Sequence, residues 1–238
     1  DTTCVAQFKI KDPKPEMTGF GESYFLALTT TPWTLPSNTA LAVGPDITYV
    51  AVRSYNPYSG APITVVLAKW LMPSMFNEKA KDIALEDYKQ GDKLIPYKVV
   101  GEWQGKELTG MHYEQLIPWM NPGEGAFKVV IGDFVTTDDG TGIVHIAPTF
   151  GADDAKVGKA NGVPAMLLLD KDGNTRPMVD LTGKYFRIED LDPTFVKEKV
   201  NVDLYKEFAG RYVKNEYDDA LPTDAPTLDI DLSVMLKQ

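Results

Sequence analysis

The sequence of 238 residues predicts an α+β fold, in which a barrel-like core of mostly antiparallel strands carries helices at its periphery. Short apolar or alternating segments of strand length recur along the chain. Turn signals separate them at Asn56-Pro57, Ser59-Gly60, Asp139-Gly140 and Asp172-Gly173. Helical patterns are few and do not alternate regularly with the strands, which argues against a doubly wound fold. So many short strands in one compact domain favour a barrel.

The strand pattern is carried, in chain order, by residues 2–10, 23–30, 39–43, 48–55, 63–71, 94–103, 127–131, 134–136, 143–147 and 165–169. Helical patterns cover residues 74–88, 153–160 and 193–212. Residues 218–231 are rich in proline and aspartate, which predicts an exposed linker or a return strand.

Composition and charge narrow the classes of function. The 34 acidic and 24 basic residues give a formal charge of −10, which repels a polyanion and argues against a free-standing nucleic-acid binder. No apolar run approaches the length of about 18 residues that would predict a membrane span, so no membrane partner is expected. Cys4 is the only cysteine, which precludes an internal disulfide and favours a reducing, cytoplasmic compartment. No signal peptide or transit peptide is visible. Because the chain opens at Asp1 without an initiator methionine, directly into a strand pattern, we expect a piece cut from a larger protein.

Most familiar catalytic signatures are missing from the sequence. It contains no G-x-x-x-x-G-K-[ST] loop, no G-x-S-x-G elbow and no CxxC pair, and its only histidines are His112 and His145. Metal-dependent and catalytic-triad mechanisms are therefore poorly supported.

The first unusual stretch reads TTTPWTLPSNTALAV, at residues 29–43. A strand that meets Pro32 must stop pairing there, because proline offers no N–H and holds Thr31 extended. Three threonine hydroxyls are then presented on a stiff strand end. Taken alone, the stretch favours a merely solvated strand end, in which Asn38 caps a turn.

The second stretch reads GTGIVHIAPTFGADDAKVG, at residues 140–158. A glycine turn leads into a strand that carries His145, and Asp153 and Asp154 then open a helix. Carboxylates at a helix N-terminus have a structural role, and a lone histidine in a strand is usually packed. Even so, a histidine at a strand end and an acid nine residues later are able to face one small cavity.

Together these two stretches resemble the editing domain of isoleucyl-tRNA synthetases, called connective peptide 1. The resemblance covers essentially the whole chain, including YKVVGEWQGKELTGMHYEQLIPW at residues 97–119. Relatives that edit for valine or leucine carry Thr-Thr-Arg-Pro, whereas Pro32-Trp33-Thr34 points to the isoleucine branch. The H-x-G-H and K-M-S-K-S signatures of the synthetic site are absent. The resemblance implies one editing domain over residues 1–238, with residues 1–12 and 218–238 as connecting strands or linkers to the catalytic domain.

The resemblance implies an aminoacyl-tRNA deacylase that proofreads valyl-tRNA for isoleucine and valyl-adenylate. Its implied catalytic residues are Asp154, Thr30 and His145: the carboxylate faces the substrate ammonium, and the imidazole gauges the side chain or bonds the ribose. The wider substrate-binding set it implies is Thr29, Thr30, Thr31, Trp33, Asn38, His145 and Asp154.

No residue stands out as a general base, so the expected reaction is attack by a positioned water. Backbone amides near Gly142 or the Phe150-Gly151 loop are the expected oxyanion donors. No metal and no cofactor are expected in this domain, although the rest of the enzyme would use ATP and Mg²⁺. The implied partners are the 3′-terminal CCA of the tRNA, the valyl ester or adenylate, and the remainder of the synthetase.

Two other interpretations stay open from the residues alone. One is a metal-assisted hydrolase that uses His145, Asp153 and Asp154, for which a third good ligand is not evident. The other is a non-catalytic interaction barrel, in which both motifs are turns and caps.

Overall fold

A computed structural model describes residues 3–214 and 228–236 of the chain. Within these residues the strands are β1 (Cys4–Lys9), β2 (Glu22–Thr29), β3 (Ala40–Val43), β4 (Thr48–Tyr55), β5 (Pro62–Ala68), β6 (Lys98–Gln104), β7 (Lys128–Ile131), β8 (Ile143–Ile146), β9 (Leu168–Leu169) and β10 (Thr175–Arg176). The helices are α1 (Met72–Met75), α2 (Gly105–Leu108), α3 (Ala152–Ala160), α4 (Pro193–Lys199), α5 (Val202–Tyr205) and α6 (Leu228–Leu236).

The larger sheet has five strands in the order β1, β2, β5, β4, β6. β2 and β5 run parallel, and the other neighbours are antiparallel. One face is covered by an apolar cluster that includes Val50 and Leu67, on which Met75 and Phe76 pack. The other face contributes Phe25 and similar residues to the main core, so the central strands β5 and β4 are buried on both sides, whereas the residues of the edge strand β6 are partly or fully exposed.

A three-stranded sheet places β3 between β7 and β8, parallel to β7 and antiparallel to β8. In this register Leu41 lies opposite His145, so the strand that follows the threonine stretch pairs with the strand that carries the histidine. The Thr141 hydroxyl donates to the Leu26 carbonyl oxygen at 2.6 Å, and the Thr141 carbonyl oxygen accepts from the Ala68 amide at 2.8 Å. These bonds tie the loop before β8 to the larger sheet.

The α+β class and the mostly antiparallel pairing are confirmed, since five of the seven strand pairings in the described residues are antiparallel. The barrel-like arrangement is open. The strands form sheets of five, three and two members, and across the described ranges none of these sheets closes on itself. No helix in the described part of the chain has both the length and the apolar character to cross a membrane.

Several predicted elements are wrong in detail. Phe134 lies within a turn that the Val135 amide closes on the Gly132 carbonyl oxygen, so residues 134–136 do not form a strand. The strand predicted over 165–169 is reduced to β9, and the strand predicted over 94–103 begins only at Lys98.

The predicted helix over 74–88 is also wrong: Met75 and Phe76 pack on the larger sheet, and short separate turns follow. α1 ends at Met75, and Asn77 then caps a separate 3₁₀ turn by accepting from the Lys79 amide. The helix predicted over 193–212 is replaced by α4 and the short α5, which the Asn201 side chain caps and which ends at Tyr205, so residues 206–212 are not helical.

The tail lies only partly within the described residues. Residues 218–227 fall outside them, but residues 228–231 begin α6, with Leu228 and Leu232 buried. The prediction of a linker or return strand is therefore wrong for this part. The connecting role assigned to residues 1–12 and 218–238 stays a prediction.

Candidate functional site

The two motifs meet at a cleft of about 290 Å³. It lies where β2 ends, beside the last residues of β8 and the first turn of α3. Its lining residues are Leu28, Thr29, Thr30, Thr31, Thr34, Val144, His145, Ala147, Phe150 and Asp154. The structure thus brings together six of the residues singled out in the sequence: Thr29, Thr30, Thr31, His145, Phe150 and Asp154.

The threonines turn the chain out of the sheet as expected. Thr29 is the last residue of β2 and is buried, and its hydroxyl oxygen accepts from the Thr31 amide at 3.1 Å. Pro32 then occupies the first position of a 3₁₀ helix, Pro32–Ser37. Thr30 is the exposed member of the three and faces the cleft.

Thr34 is a site residue that the sequence reasoning missed. Its hydroxyl donates to the Thr31 carbonyl oxygen at 2.9 Å and lies 2.9 Å from His145 Nε2. A 3₁₀ helix stacks residues i and i+3, so a turn opened by Pro32 would place residue 34 over residue 31. That spacing was the signal that could have found it.

The hydrogen bonds of Asn38 set the tautomer of His145. Asn38 Nδ2 donates to the Ala40 carbonyl oxygen at 2.9 Å, which fixes the orientation of the amide, and the same nitrogen lies 2.8 Å from His145 Nδ1. Nδ1 is therefore the acceptor, and the ring proton is on Nε2, pointing to the Thr34 oxygen. Burial lowers the pKa of His145 to about 4, so the ring is neutral at pH 7.

Asn38 is in turn held by Tyr113, whose hydroxyl donates to Asn38 Oδ1. Both residues are buried, and burial raises the pKa of Tyr113 well above its ordinary value. Asn38 does not line the cleft and reaches it only through His145. Tyr113, seventy-five positions away in the sequence, carried no signal.

Asp154 lies in the first turn of α3, and its Oδ2 accepts from the Ala147 amide at 3.0 Å. Burial is the largest influence on this carboxyl and raises its pKa, the neighbouring Asp153 charge adds to the rise, and the Ala147 bond opposes it. A Cβ on Gly151 would stand 3.3 Å from Asp154 Cγ, so the glycine leaves room for the carboxylate. Asp153 is exposed.

The remaining predicted residues lie behind the cleft. Trp33 is not part of the lining, and its ring packs edge-on against Phe150 with centroids 5.1 Å apart. Gly142 also lies outside the lining; its φ of +78° and the nearness of Ala68 explain the glycine. The Phe150 amide donates to the Ala147 carbonyl oxygen at 3.0 Å, so it is already engaged. Gly151 is not a lining residue either, but it directly follows the lining residue Phe150, so its amide stays the candidate among the expected oxyanion donors.

The described residues contain no group of three or more histidine, cysteine, aspartate or glutamate side chains placed to hold a metal ion. Both nitrogens of His145 already have hydrogen-bond partners, and one oxygen of Asp154 is bonded to the backbone. The second histidine, His112, pairs with Asp12 at the surface, with 3.0 Å between Nδ1 and Oδ2. The donor set therefore does not suit a metal-assisted hydrolase.

The chain is similar over its whole length to two curated isoleucine–tRNA ligases. It is 65% identical to the enzyme of Bacteroides fragilis over 237 residues, which is 100% of this chain and 21% of that protein. It is 63% identical to the enzyme of Porphyromonas gingivalis over 238 residues, again 100% of this chain and 21% of that protein. The chain thus spans about a fifth of the length of these relatives.

Among solved structures, the crystal structure of the P. knowlesi cytosolic leucyl-tRNA synthetase editing domain aligns with a TM-score of 0.48 and 11% sequence identity, covering 73% of each chain. No protein-family profile matches the chain.

The similarity to these ligases defines the class of protein as an aminoacyl-tRNA synthetase. The chain belongs to the isoleucyl-tRNA synthetase family, as a segment of such an enzyme.

Proposed function

We propose that this segment hydrolyses valyl-tRNA for isoleucine, and valyl-adenylate when tRNA is present, as the proofreading part of a synthetase. The observation that carries the proposal is the cleft in which Asp154, the three threonines and a neutral His145 meet. It offers one negative charge, several hydroxyls and a small apolar wall. These groups match the ammonium, the ester and the short side chain of a valyl ester.

Asp154 is proposed to bind the α-ammonium of the substrate. One carboxylate oxygen is held by the Ala147 amide, which fixes the carboxylate and leaves the other oxygen for the ligand. Burial raises the pKa of Asp154, which means that the charge is poorly solvated in the free cleft. An incoming ammonium supplies the missing counter-charge in a charge-assisted hydrogen bond.

Selection between valine and isoleucine is proposed to come from size. Isoleucine has one methylene more than valine, and burying one methylene contributes only about 1–3 kcal/mol to binding. This range is general, and isoleucyl-tRNA synthetase is its standard example. A second, smaller pocket that admits valine and rejects isoleucine therefore improves fidelity. His145 and Val144 line the cleft, and two hydrogen bonds fix the His145 ring as part of that wall.

The proposed reaction is attack of a positioned water on the ester carbonyl. The bond between the carbonyl carbon and the ribose oxygen breaks, and the proton passes from the water to the ribose oxygen. His145 is a poor candidate for general base, because its Nε2 carries the proton and its Nδ1 is bonded to Asn38. The water is therefore proposed to be oriented by the threonine hydroxyls and the substrate's free ribose hydroxyl, with the Gly151 amide facing the oxyanion.

The proposed partner is the single-stranded 3′-terminal CCA of the tRNA. With a formal charge of −10, the segment offers little attraction for the rest of the polyanion, so phosphate contacts are assigned to the remainder of the synthetase. The absence of a resident cofactor, the use of ATP and Mg²⁺ elsewhere in the enzyme and a cytoplasmic location also stay predictions.

The decisive experiment follows deacylation of valyl-tRNA and isoleucyl-tRNA, both on the isoleucine tRNA, by the full-length synthetase that contains this segment. We expect rapid cleavage of the valyl ester, little cleavage of the isoleucyl ester, and no effect of a chelator once aminoacylation has been separated from the assay. No cleavage of either ester would favour a non-catalytic module. Loss of cleavage with the chelator, and its return with metal, would favour a metal-assisted hydrolase.

A further inference from the structure

The backbone of Trp33 is held on both sides by residues far away in the sequence. Its amide donates to Asp229 Oδ1 at 3.0 Å, across 196 positions. Its carbonyl oxygen accepts from the Tyr185 hydroxyl at 2.7 Å, across 152 positions. Trp33 lies between Thr31 and Thr34, two residues that line the cleft, so these two bonds fix the position of the cleft floor.

Tyr185 is a rigid anchor for this contact. Its side chain is fully buried, and its ring stacks edge-on against Trp119 with centroids 5.5 Å apart. Trp119 also packs against Tyr205 and Phe208, which completes an aromatic cluster. Because close packing fixes the Tyr185 ring, its hydroxyl holds the Trp33 carbonyl oxygen in one position.

Asp229 is fixed by α6. Leu228 and Leu232 anchor this helix in the main core, and Asp231 pairs with Arg211 with 2.6 Å between the carboxylate oxygen and the guanidinium nitrogen. Asp231 lies in the first turn of α6 like Asp229, but its partner is Arg211 and not the loop. Asp231 is therefore a matched acidic neighbour on the same helix: its partly exposed pair with Arg211 contributes little to stability, and the Trp33 amide bonds to Asp229 instead.

We propose that Asp229 and Tyr185 are positioning residues for the deacylation site, acting through the Trp33 peptide on Thr31 and Thr34. This inference rests on the proposed function. If either hydrogen bond to the Trp33 backbone is lost, the 3₁₀ turn is free to shift. The Thr34 oxygen then moves relative to His145 Nε2, which lies 2.9 Å away. Catalytic geometry is sensitive to such shifts, since a displacement of about 1 Å costs a reaction about 10²-fold.

The test uses the full-length synthetase with Asp229→Ala, Asp229→Asn and Asp231→Ala. Asp229→Ala removes the acceptor and is expected to lower kcat/KM for valyl-tRNA deacylation by about 10- to 100-fold. Asp229→Asn keeps an oxygen for the Trp33 amide and is expected to restore most of the activity. Asp231→Ala removes the same charge from the same helix and is expected to stay within about twofold of wild type.

A second pair of variants tests the hydrogen bond from the Tyr185 hydroxyl to the Trp33 carbonyl oxygen. Tyr185→Phe removes the hydroxyl that holds Trp33, whereas Tyr205→Phe removes a hydroxyl of the same aromatic cluster that donates to the Phe186 carbonyl. Deacylation is expected to fall in the first variant and not in the second, with thermal unfolding measured for both.

Provided that the unmodified enzyme cleaves valyl-tRNA, three results would overturn the positioning role. These are full activity in Asp229→Ala, equal losses of activity in Asp229→Ala and Asp231→Ala, or a folded Asp229→Asn variant that is as inactive as Asp229→Ala. Failure of the wild-type enzyme to cleave valyl-tRNA would instead overturn the proposed function, so the two failures are separate.

Discussion

Replacing Asp154 by asparagine removes the charge assigned to the substrate ammonium and keeps an oxygen for the Ala147 amide. The structure makes this variant cleaner than Asp154→Ala, which would leave the buried Ala147 amide without its partner. An unsatisfied buried donor costs about 1–3 kcal/mol, so the alanine variant is expected to lose activity and stability together. Asparagine is expected to separate the two effects.

The size of the effect follows from the bond that is lost. A hydrogen bond to a charged group is worth about 1.5–3 kcal/mol, which corresponds to a fall of about 10- to 150-fold in kcat/KM for valyl-tRNA. Burial raises the pKa of Asp154 in the folded state above its value in the unfolded chain. The free energy of unfolding therefore falls as pH rises through the folded-state pKa, because the buried carboxyl must then ionise. At pH 7 Asp154→Asn is thus expected to be at least as stable as wild type, and this difference should vanish at acidic pH.

The assay compares deacylation and thermal unfolding for Asp154→Asn and for Asp153→Asn, an exposed carboxylate in the same helical turn. We expect the first variant to lose activity without a fall in melting temperature and the second to stay close to wild type. Equal losses in both variants would show that the helix N-terminal charge matters and that no specific ammonium site exists. Full activity in Asp154→Asn would refute the ammonium contact outright.

Further predictions concern the histidine, pH and tRNA. His145→Ala should admit isoleucyl-tRNA to cleavage while valyl-tRNA is still cleaved, whereas uniform loss of both activities, by about 10²- to 10⁴-fold, would indicate a general base. Because burial lowers the pKa of His145 to about 4, the deacylation rate should show no histidine inflection near pH 6.5, and an inflection there that disappears in His145→Ala would contradict the neutral ring. Because its formal charge is −10, the 238-residue chain alone should bind whole tRNA far more weakly than the full-length enzyme does. Filter binding over a range of salt concentrations measures both affinities, and equal values would reveal an unrecognised tRNA surface.

Much of the sheet structure was predictable from local pattern. β4 and β5 are flanked by turn residues and rich in β-branched side chains, and both were predicted within a few residues of their bounds. The helix predicted over 74–88 failed because Met75 and Phe76 pack on the sheet and the chain then forms separate 3₁₀ turns. Tertiary contact, which leaves no periodic signal, overrode the local preference there.

The site residues, too, were predictable where they belong to a local motif and were not where they act through long-range contacts. Thr29, His145 and Asp154 stand in two recognisable motifs, and the structure places all three at one cleft. Tyr113 and Asp229 act through hydrogen bonds that span 75 and 196 positions, which no local pattern encodes. Most polar residues that contact the cleft were therefore found from the sequence, apart from Thr34, whereas these two distant supporting residues were not.

The pairing of β3 with β8 makes the spacing between the two motifs independent of the chain length between them. Leu41 opposes His145 through the sheet register, so residues inserted at an outlying turn such as 57–60 would leave the cleft unchanged. Deleting a single residue within β3 would have the opposite effect, because a shift of one position in a strand moves each side chain to the other face. Length changes at such a turn are thus expected to leave this cleft intact, whereas a register shift of one residue at β3 is expected to abolish the site.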